Sequence, residues 1–347
     1  MELVKGALII AAFASGLIPQ TARAQPRLVF DHKIGTDWEG NGEWMSFVAI
    51  SPDGRTIASD GDNQGGPFAR LGLWSFPGGE HLRSAGDQPL AISPDFRYLA
   101  TETGIVDLQA RVPPTKVPRQ TRLYANAGFS PSGEFVAFVP VRSGKERRRI
   151  IVFRTADRSV VARFGTRYAA SLAFHPNKQI LASGHWNNVT LWDLRSGDRL
   201  ALLTYIPRPT RADGYYRDGR YICGLGFSRD GSSLAAGSDD GELQIWDLVS
   251  SKLLHSIAIG YGYVSNPAFS PDGKLVAAGT YADGTVTLVD VSSGAILSQI
   301  KVSMFGCGSV AFSPDGRYLV TPSNGGQIVP GKFDRGGSIR VFRVENH

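Results

Sequence analysis

The sequence has 347 residues, of which 42% are hydrophobic, and it carries a formal net charge of +6. A charge this small for the length indicates a mild preference for acidic partners and does not predict a nucleic-acid-binding surface. Beyond the amino-terminal segment, no apolar run reaches the roughly 20 residues that a membrane-spanning helix needs, so no membrane span is predicted.

The first 24 residues have the features of an export signal. Lys5 gives a basic start, Gly6–Ile18 is an apolar run, and Ala22-Arg23-Ala24 forms a small-x-small cleavage site before Gln25. The apolar run is too short to span a bilayer. We therefore expect residues 1–24 to be removed as a signal peptide and the mature chain to be periplasmic or secreted, which also disfavours nucleic acid as a partner.

A lone predicted strand, Arg27–Ile34, is followed by a short phrase that recurs seven times. The phrase is Ser-Pro-Asp-Gly or a close variant, and its copies start 37 to 53 residues apart, which is the spacing of propeller blades. The residue two positions before each start is Ala or Gly, and the residue one position before is Ile or Phe. The residue six positions after each start is aliphatic. This alternation before a turn describes an inner strand with two different faces. The phrase starts at Ser51, Ser93, Ser130, His175, Ser228, Ser270 and Ser313.

Each complete repeat predicts four strands separated by Gly, Asp and Ser turns. In the fifth repeat these are Tyr221–Ser228, Ser233–Gly237, Glu242–Leu248 and Lys252–Ile259. Both faces of such a sheet are apolar, so neighbouring sheets must stack. The seventh repeat lacks an outer strand, which the lone amino-terminal strand can supply. Residues 25–347 are thus predicted to form one all-β, seven-bladed propeller of four-stranded antiparallel blades, closed by the amino-terminal strand.

The third strands carry motifs that resemble the WD-repeat propeller family, most clearly Leu191-Trp192-Asp193-Leu194 and Ile245-Trp246-Asp247-Leu248. The resemblance extends over the mature chain through the sevenfold spacing. It implies a binding platform, since most members of the family bind other molecules. One feature differs: many members place a Gly-His pair before the inner strand, where the imidazole joins a hydrogen-bond network, whereas Gly184-His185 here follows a second strand.

The long connections of the predicted blades all emerge at one end, and loops on a rigid scaffold concentrate binding residues. They are Gly35–Met45, Ser59–Arg70, Val141–Arg149, Ile206–Arg220 and Ser323–Gly337. Trp, Tyr and Arg are enriched in interface hot spots. The alternative is that the two Trp side chains pack within their own loop and the Arg cluster is a solvated hairpin tip. The candidate partner-binding residues are Trp38, Trp44, Arg147, Arg148, Arg208, Arg211, Tyr215 and Tyr216.

No catalytic or metal-binding motif is found. Asp60-Gly61-Asp62-Asn63-Gln64-Gly65 resembles the start of a calcium loop, but Gln64 and Leu71 stand where acidic ligands are needed. His185 is interpreted as an incidental exposed residue. The small residues of the inner strands predict a narrow, apolar channel that disfavours catalysis. We expect no cofactor and no bound metal.

Two cysteines, Cys223 and Cys307, leave a disulfide open, although buried free thiols are favoured because a whole blade separates them. The chain is interpreted as a monomeric, exported scaffold that binds a protein partner through one face. A propeller enzyme, or a cofactor- or metal-binding propeller with a site at the channel mouth, is the alternative. Glycan binding through Trp38, Trp44, Tyr215 and Tyr216 is a third hypothesis.

Overall fold

The computed structural model describes residues 25–35, 45–62, 70–85, 89–109, 124–140, 149–165, 169–205, 221–303, 306–329 and 332–346. Within these ranges the chain forms β-strands joined by turns and contains no α-helix. Accordingly, this part of the chain offers no helix that is long and apolar enough to cross a membrane.

The strands form seven antiparallel sheets, which are the blades of a propeller. Blade one contains β2 (Val48–Ile50), β3 (Thr56–Asp62), β4 (Arg70–Ser75) and β5 (His81–Ala85). Blade two contains β6 (Pro89–Ile92), β7 (Tyr98–Thr101) and β8 (Gly104–Asp107), and residues 110–123 that follow lie outside the described ranges. Blade three contains β9 (Tyr124–Phe129), β10 (Phe135–Pro140), β11 (Arg149–Arg154) and β12 (Val160–Gly165).

The remaining four blades follow the same order from inner to outer strand. Blade four contains β13 (Ser171–Phe174), β14 (Ile180–Gly184), β15 (Asn188–Asp193) and β16 (Arg199–Thr204). Blade five contains β17 (Ile222–Phe227), β18 (Ser233–Ser238), β19 (Glu242–Asp247) and β20 (Lys252–Ala258). Blade six contains β21 (Ala268–Phe269), β22 (Leu275–Gly279), β23 (Thr285–Asp290) and β24 (Ile296–Lys301). Blade seven contains β25 (Ala311–Phe312), β26 (Tyr318–Val329), β27 (Lys332–Asn346) and, as its outer strand, β1 (Pro26–Ile34).

The amino-terminal strand closes the ring, as predicted. β1 pairs with β27 from Pro26 opposite Asn346 to Ile34 opposite Ile339, with one irregularity between Phe30 and His32. The side chains of Leu28 and Ile34 are buried in the apolar clusters that join blade seven to blades six and one, respectively. The two ends of the chain are therefore held together by one sheet.

Seven apolar clusters account for the packing, and each lies between two neighbouring blades. Every cluster includes the Ile or Phe that precedes one repeated phrase, so the bulky face of each inner strand fills the space between blades, as expected. The aliphatic residue six positions after each phrase is completely buried in the same clusters. These aliphatic residues are Ile57, Leu99, Val136, Leu181, Leu234, Val276 and Leu319.

The repeated phrase forms the turn between the first two strands of each blade. In blade one the Ser51 hydroxyl donates a hydrogen bond to Asp53 Oδ1 at 2.5 Å and accepts one from the Thr56 N–H at 2.9 Å. The same pair of bonds occurs in blades two, five, six and seven. The recurrence of Ser and Asp is thus explained by a side-chain-stabilised turn.

Blade four replaces the serine of this turn, and blade two replaces its glycine. In blade four, His175 Nδ1 accepts hydrogen bonds from the N–H groups of Asn177 and Lys178, each at 3.1 Å, and so replaces the serine hydroxyl. In blade two, Phe96 adopts φ 56° at the position where Gly54 of blade one has φ 67°. Left-handed backbone is costly for a bulky residue, and the ring is retained because it packs on the cluster between blades one and two.

The turn aspartates predict acid sensitivity. Hydrogen bonds from Ser51 and Ser228 lower the pKa of Asp53 and bring that of Asp230 to about 2; at Asp272 and Asp315 burial opposes the shift, but the serine bonds still leave the pKa lowered. A carboxyl whose folded pKa is depressed contributes stability that is present above its unfolded pKa of about 3.9 and is lost as pH falls through the folded value. We therefore expect the melting temperature to fall between about pH 4 and pH 2.

The measurement is thermal unfolding followed by circular dichroism across this window. A variant with Asn at positions 53, 230, 272 and 315 should have a lower melting temperature than wild type at pH 6. Its melting temperature should fall less than that of wild type on acidification. An equal fall in the two proteins would show that other groups cause the acid sensitivity. In the corresponding turn of blade four, burial and then Lys178 lower the pKa of the His175 imidazole.

One detail of the predicted architecture is corrected. The segment Ser323–Gly337, predicted as a loop, is mostly a hairpin: β26 and β27 remain paired through Asn324–Gly337, Gly326–Asp334 and Val329–Lys332. Its Gly-rich composition concealed the strand extension, since Gly is depleted in strands. In the fifth repeat the predicted strands agree with β17 to β20 within one residue at each end.

Candidate functional site

The loop face is the end of the propeller that carries two kinds of connection: from second to third strand within a blade, and from the outer strand of one blade to the inner strand of the next. Because paired strands are antiparallel, both kinds emerge at the same end. Segments 36–44, 141–148 and 206–220 are connections of these kinds, and they lie outside the described residues. All eight predicted binding residues fall in them: Trp38, Trp44, Arg147, Arg148, Arg208, Arg211, Tyr215 and Tyr216.

Exposed aromatic side chains concentrate on the described part of the loop face. Among the side chains that the structure describes, the exposed aromatic ones are Trp186, Tyr261, Tyr263 and Tyr281, with exposed fractions of 37%, 52%, 54% and 41%. All four lie in loop-face connections. The other exposed large apolar residues are aliphatic, and apart from Val249 they lie on outer strands: Leu82, Val160, Val161, Leu200, Leu202, Leu254 and Ile296.

Three of these aromatic residues form what we call the tyrosine corner, defined as Tyr261, Tyr263 and Tyr281. The first two lie between β20 and β21, and Tyr281 lies between β22 and β23. The two connections are joined by backbone hydrogen bonds: the Tyr281 N–H donates to the Tyr263 carbonyl at 2.8 Å, and the Ala282 N–H donates to the Tyr261 carbonyl at 3.2 Å. The rings of Tyr263 and Tyr281 meet edge to face, with centroids 6.2 Å apart.

Glycines allow the close approach on which the tyrosine corner depends. A Cβ atom at Gly262, where φ is +75°, would lie 2.7 Å from Ala282 Cβ, and one at Gly306 would lie 3.0 Å from Tyr281 Cδ2. Such distances leave no room for a larger residue. Partial burial raises the pKa of the Tyr281 hydroxyl, and the neighbouring Tyr263 raises it further. The Tyr281 side chain is therefore neutral at physiological pH.

A second aromatic pair lies between blades four and five. Trp186 and Tyr221 form an isolated β-bridge, and their rings meet at 86° with centroids 4.6 Å apart. The Tyr221 N–H donates to Asp239 Oδ1 at 3.1 Å. Tyr221 directly follows segment 206–220, so the end of this predicted binding loop is fixed on the loop face beside Trp186.

His185, predicted to be exposed, is in fact buried, with 6% of its surface accessible. Its Nε2 lies 2.6 Å from Ser183 Oγ, which also accepts a hydrogen bond from Trp192 Nε1 at 2.7 Å. Blade four therefore contains a hydrogen-bond network with an imidazole, which is supplied by the turn after the second strand. Sequence reasoning failed because this turn folds its side chain back over the blade.

Below the loop face, blade five contains a hydrogen-bond network around the buried Glu242 and the partly exposed Asp240. The Tyr205 hydroxyl, 3% exposed, donates to Glu242 Oε2 at 2.5 Å and lies 3.2 Å from Asp240 Oδ1. Ser238 and Ser256 donate to Asp240 and Glu242. Burial and then the Glu242 hydrogen bond raise the pKa of Tyr205. The network ties the end of blade four to blade five and positions the Asp239-Asp240 turn.

Asp60, at the start of the sequence that resembles a calcium loop, is a structural residue. Its carboxylate is buried and accepts hydrogen bonds from the Ser46 N–H and hydroxyl and from the Phe47 N–H, at 2.7 to 2.9 Å. Burial raises its pKa despite these donors. The bonds fix the chain where it enters blade one.

The described residues offer little for metal or nucleophilic chemistry. In this part of the chain, no three His, Cys, Asp or Glu side chains come close enough to share a metal ion. Cys223 and Cys307 are free thiols. Burial raises the pKa of each to about 12, so neither is a thiolate at neutral pH.

Sequence reasoning missed the tyrosine corner, although a signal was present. Gly260-Tyr261-Gly262-Tyr263 follows an outer strand and therefore reaches the loop face. The prediction gave weight to long, charged connections, whereas this one is short. Two tyrosines separated by a glycine, at a position where no core contact is available, could have identified it.

Comparison with known proteins confirms the family resemblance in blades four to six. The model of the WD domain, G-beta repeat, matches residues 165–193, 214–247 and 252–290. The first two segments end on the Trp-Asp pairs Trp192-Asp193 and Trp246-Asp247. The chain thus contains WD repeats.

Curated relatives match over short segments. Human apoptotic protease-activating factor 1 is 42% identical over 64 residues, which are 16% of this chain and 5% of that protein. WD repeat-containing protein VIP3 of Arabidopsis thaliana is 32% identical over 113 residues, 31% of this chain and 35% of VIP3. Small ribosomal subunit protein RACK1y of Oryza sativa subsp. japonica is 28% identical over 118 residues, 33% of this chain and 31% of RACK1y. The chain thus spans at most about a third of these relatives.

Proposed function

We propose that this protein is an exported, monomeric propeller that serves as a protein-interaction scaffold through its loop face. The observation that carries the proposal is the concentration of exposed Trp and Tyr side chains on this face, while the exposed large apolar residues that the structure describes elsewhere are aliphatic. Aromatic side chains dominate interface hot spots because they bury a large area with few rotatable bonds. A WD-repeat scaffold and the predicted Trp- and Arg-containing loops on the same face agree with this role.

The geometry of the aromatic pairs favours protein over glycan. A sugar ring stacks on a flat aromatic face, and two sugar units need two such faces that are roughly parallel. The ring planes meet at 86° in Trp186–Tyr221 and at 75° in Tyr263–Tyr281. Perpendicular rings form notches that suit single side chains of a partner protein.

Capture of a partner tests the proposal. Tethered wild-type protein is compared with a loop-face variant carrying Ala at positions 186, 261, 263 and 281, and bound proteins from the exported fraction are quantified by mass spectrometry. We expect the variant to lose at least about tenfold in capture, because a truncated hot-spot side chain costs more than about 1 kcal/mol. A variant with Ala at 147, 148, 208 and 211 tests the predicted Arg contribution in the same assay.

The matched control replaces Leu82, Leu200 and Leu254 by Ala, since these outer-strand residues are 46 to 51% exposed and resemble the tyrosines in exposure. The control should capture the same proteins as wild type, and all variants should keep the wild-type melting temperature within about 2 °C. If the control loses capture and the loop-face variant keeps full capture, the partner binds the outer strands and not the loop face, and the proposal is rejected.

A further inference from the structure

The tyrosine corner combines aromatic exposure with negative charge on both sides. Asp283 lies in the same turn as Tyr281, and its Oδ2 accepts a hydrogen bond from the Tyr261 N–H at 3.3 Å. On the other side, the Asp239-Asp240-Gly241 turn packs closely on the backbone of Gly260 and Tyr261. A Cβ atom added at Gly241 would lie only 2.1 Å from the Gly260 carbonyl oxygen. The three aspartates are partly exposed.

The corner thus differs in charge from the chain as a whole, which carries +6. Lys301 is exposed at the end of the outer strand of blade six. Among the described residues, Asp239, Asp240 and Asp283 supply three carboxylates to this edge of the loop face. Asp283 places one carboxylate in the same turn as Tyr281, and the Asp239-Asp240-Gly241 turn lies against the backbone at Tyr261.

We propose that the tyrosine corner binds a Lys or Arg side chain of a basic protein segment. The faces of aromatic rings attract cations, and the attraction strengthens where water is displaced. The edge-to-face arrangement leaves one ring face open beside the edge of its neighbour, and the flanking aspartates supply the counter-charge. The corner needs little ordering on binding, since backbone hydrogen bonds and glycine contacts hold it in place.

The inference rests on the proposed function, because it names the chemistry by which one part of the loop face recognises a protein partner. An acidic segment is disfavoured by the three aspartates. A purely apolar segment would leave these carboxylates to be desolvated without compensation.

Binding of defined peptides to the full-length chain tests the proposal. The probes are two blocked heptapeptides of equal length, one alternating glycine with arginine and the other alternating glycine with glutamate, measured by isothermal titration calorimetry at low salt and at about 0.5 M NaCl. We expect the arginine peptide to bind and to weaken in salt, and the glutamate peptide not to bind.

Paired substitutions distinguish the contribution of the aromatic ring faces to peptide binding from that of apolar side-chain volume. Replacing Tyr263 and Tyr281 by Leu keeps apolar volume but removes the ring faces, and should weaken the arginine peptide about tenfold. Replacing the same residues by Phe keeps the ring faces and should retain affinity within about twofold. Trp186→Leu, on the same face outside the corner, should bind as wild type. Each variant is first shown to melt like wild type.

Equal binding of the two peptides, or equal affinity of the Leu and Phe variants for the arginine peptide, overturns the inference. Either result can occur while the loop-face variant loses partner capture, and the scaffold proposal then stands without the cation site. Arginine-peptide binding that depends on the ring faces, with capture unaffected in the loop-face variant, rejects the scaffold proposal instead.

Discussion

Removal of Pro26–Ile34 is expected to lower the melting temperature by more than about 10 °C or to prevent folding. Burying Leu28 and Ile34 contributes about 3 to 6 kcal/mol in total, and their exposed fractions are 5% and 1%. Deletion also leaves β27, which pairs with β1 from Asn346 to Ile339, as an open edge. For a domain of this size, each 1 kcal/mol shifts the melting temperature by about 1.5 to 2 °C, and the lost pairing of β1 with β27 adds to the contribution of the two side chains.

A point variant and a complementation experiment make this test robust to poor expression. Ile34→Ala should cost about 2 to 4 kcal/mol, measured by urea unfolding. Arg27→Ala should change stability by less than about 0.5 kcal/mol, because the Arg27 side chain is 54% exposed and its 4.0 Å contact with Glu345 is a surface ion pair. A peptide of residues 25–35 added to the truncated protein should restore part of the lost stability. An unchanged melting temperature in the truncated protein would contradict closure by β1.

The sevenfold spacing was sufficient to predict the fold because each repeated position has one physical task. The residue six positions after each phrase is completely buried in every blade, and the Ser and Asp of the phrase are bonded to each other in five. Because these positions make the same contact in each blade, their residue types recur at a regular spacing that is visible in the sequence alone. Closure of the ring by the amino-terminal strand could be predicted because the seventh repeat lacks an outer strand and one extra strand precedes the first repeat.

The loop face could not be predicted in the same way, since its residues do not repeat. The corner formed by Tyr261, Tyr263 and Tyr281 joins connections from two different blades, and the burial of His185 depends on how one turn folds. These contacts have no period and no fixed separation in the sequence. The predicted Trp and Arg residues share this difficulty, and their role stays a prediction.

Gly226 shows where the repeat itself misleads. It stands two positions before the fifth phrase, where five other blades carry Ala and blade three carries Gly128. From the repeat alone, Gly226→Ala should be neutral or slightly stabilising, because Ala restricts the unfolded chain. The structure indicates the opposite, since a Cβ atom at Gly226 would lie 2.1 Å from the Pro267 carbonyl oxygen.

We therefore expect Gly226→Ala to destabilise the protein by about 3 kcal/mol, because a backbone atom of blade six must move to relieve the overlap. Gly128→Ala is the matched control at the same repeat position. There the nearest atom, the Leu172 carbonyl oxygen, would be 3.6 Å away, an ordinary contact. Its effect should lie within about 1 kcal/mol of zero and can be stabilising. Urea unfolding of the two variants measures the difference, and equal stabilities would mean that blades five and six are farther apart than described. A confirmed difference would show that β17 approaches blade six more closely than β9 approaches blade four, on the side of the ring that holds the WD repeats.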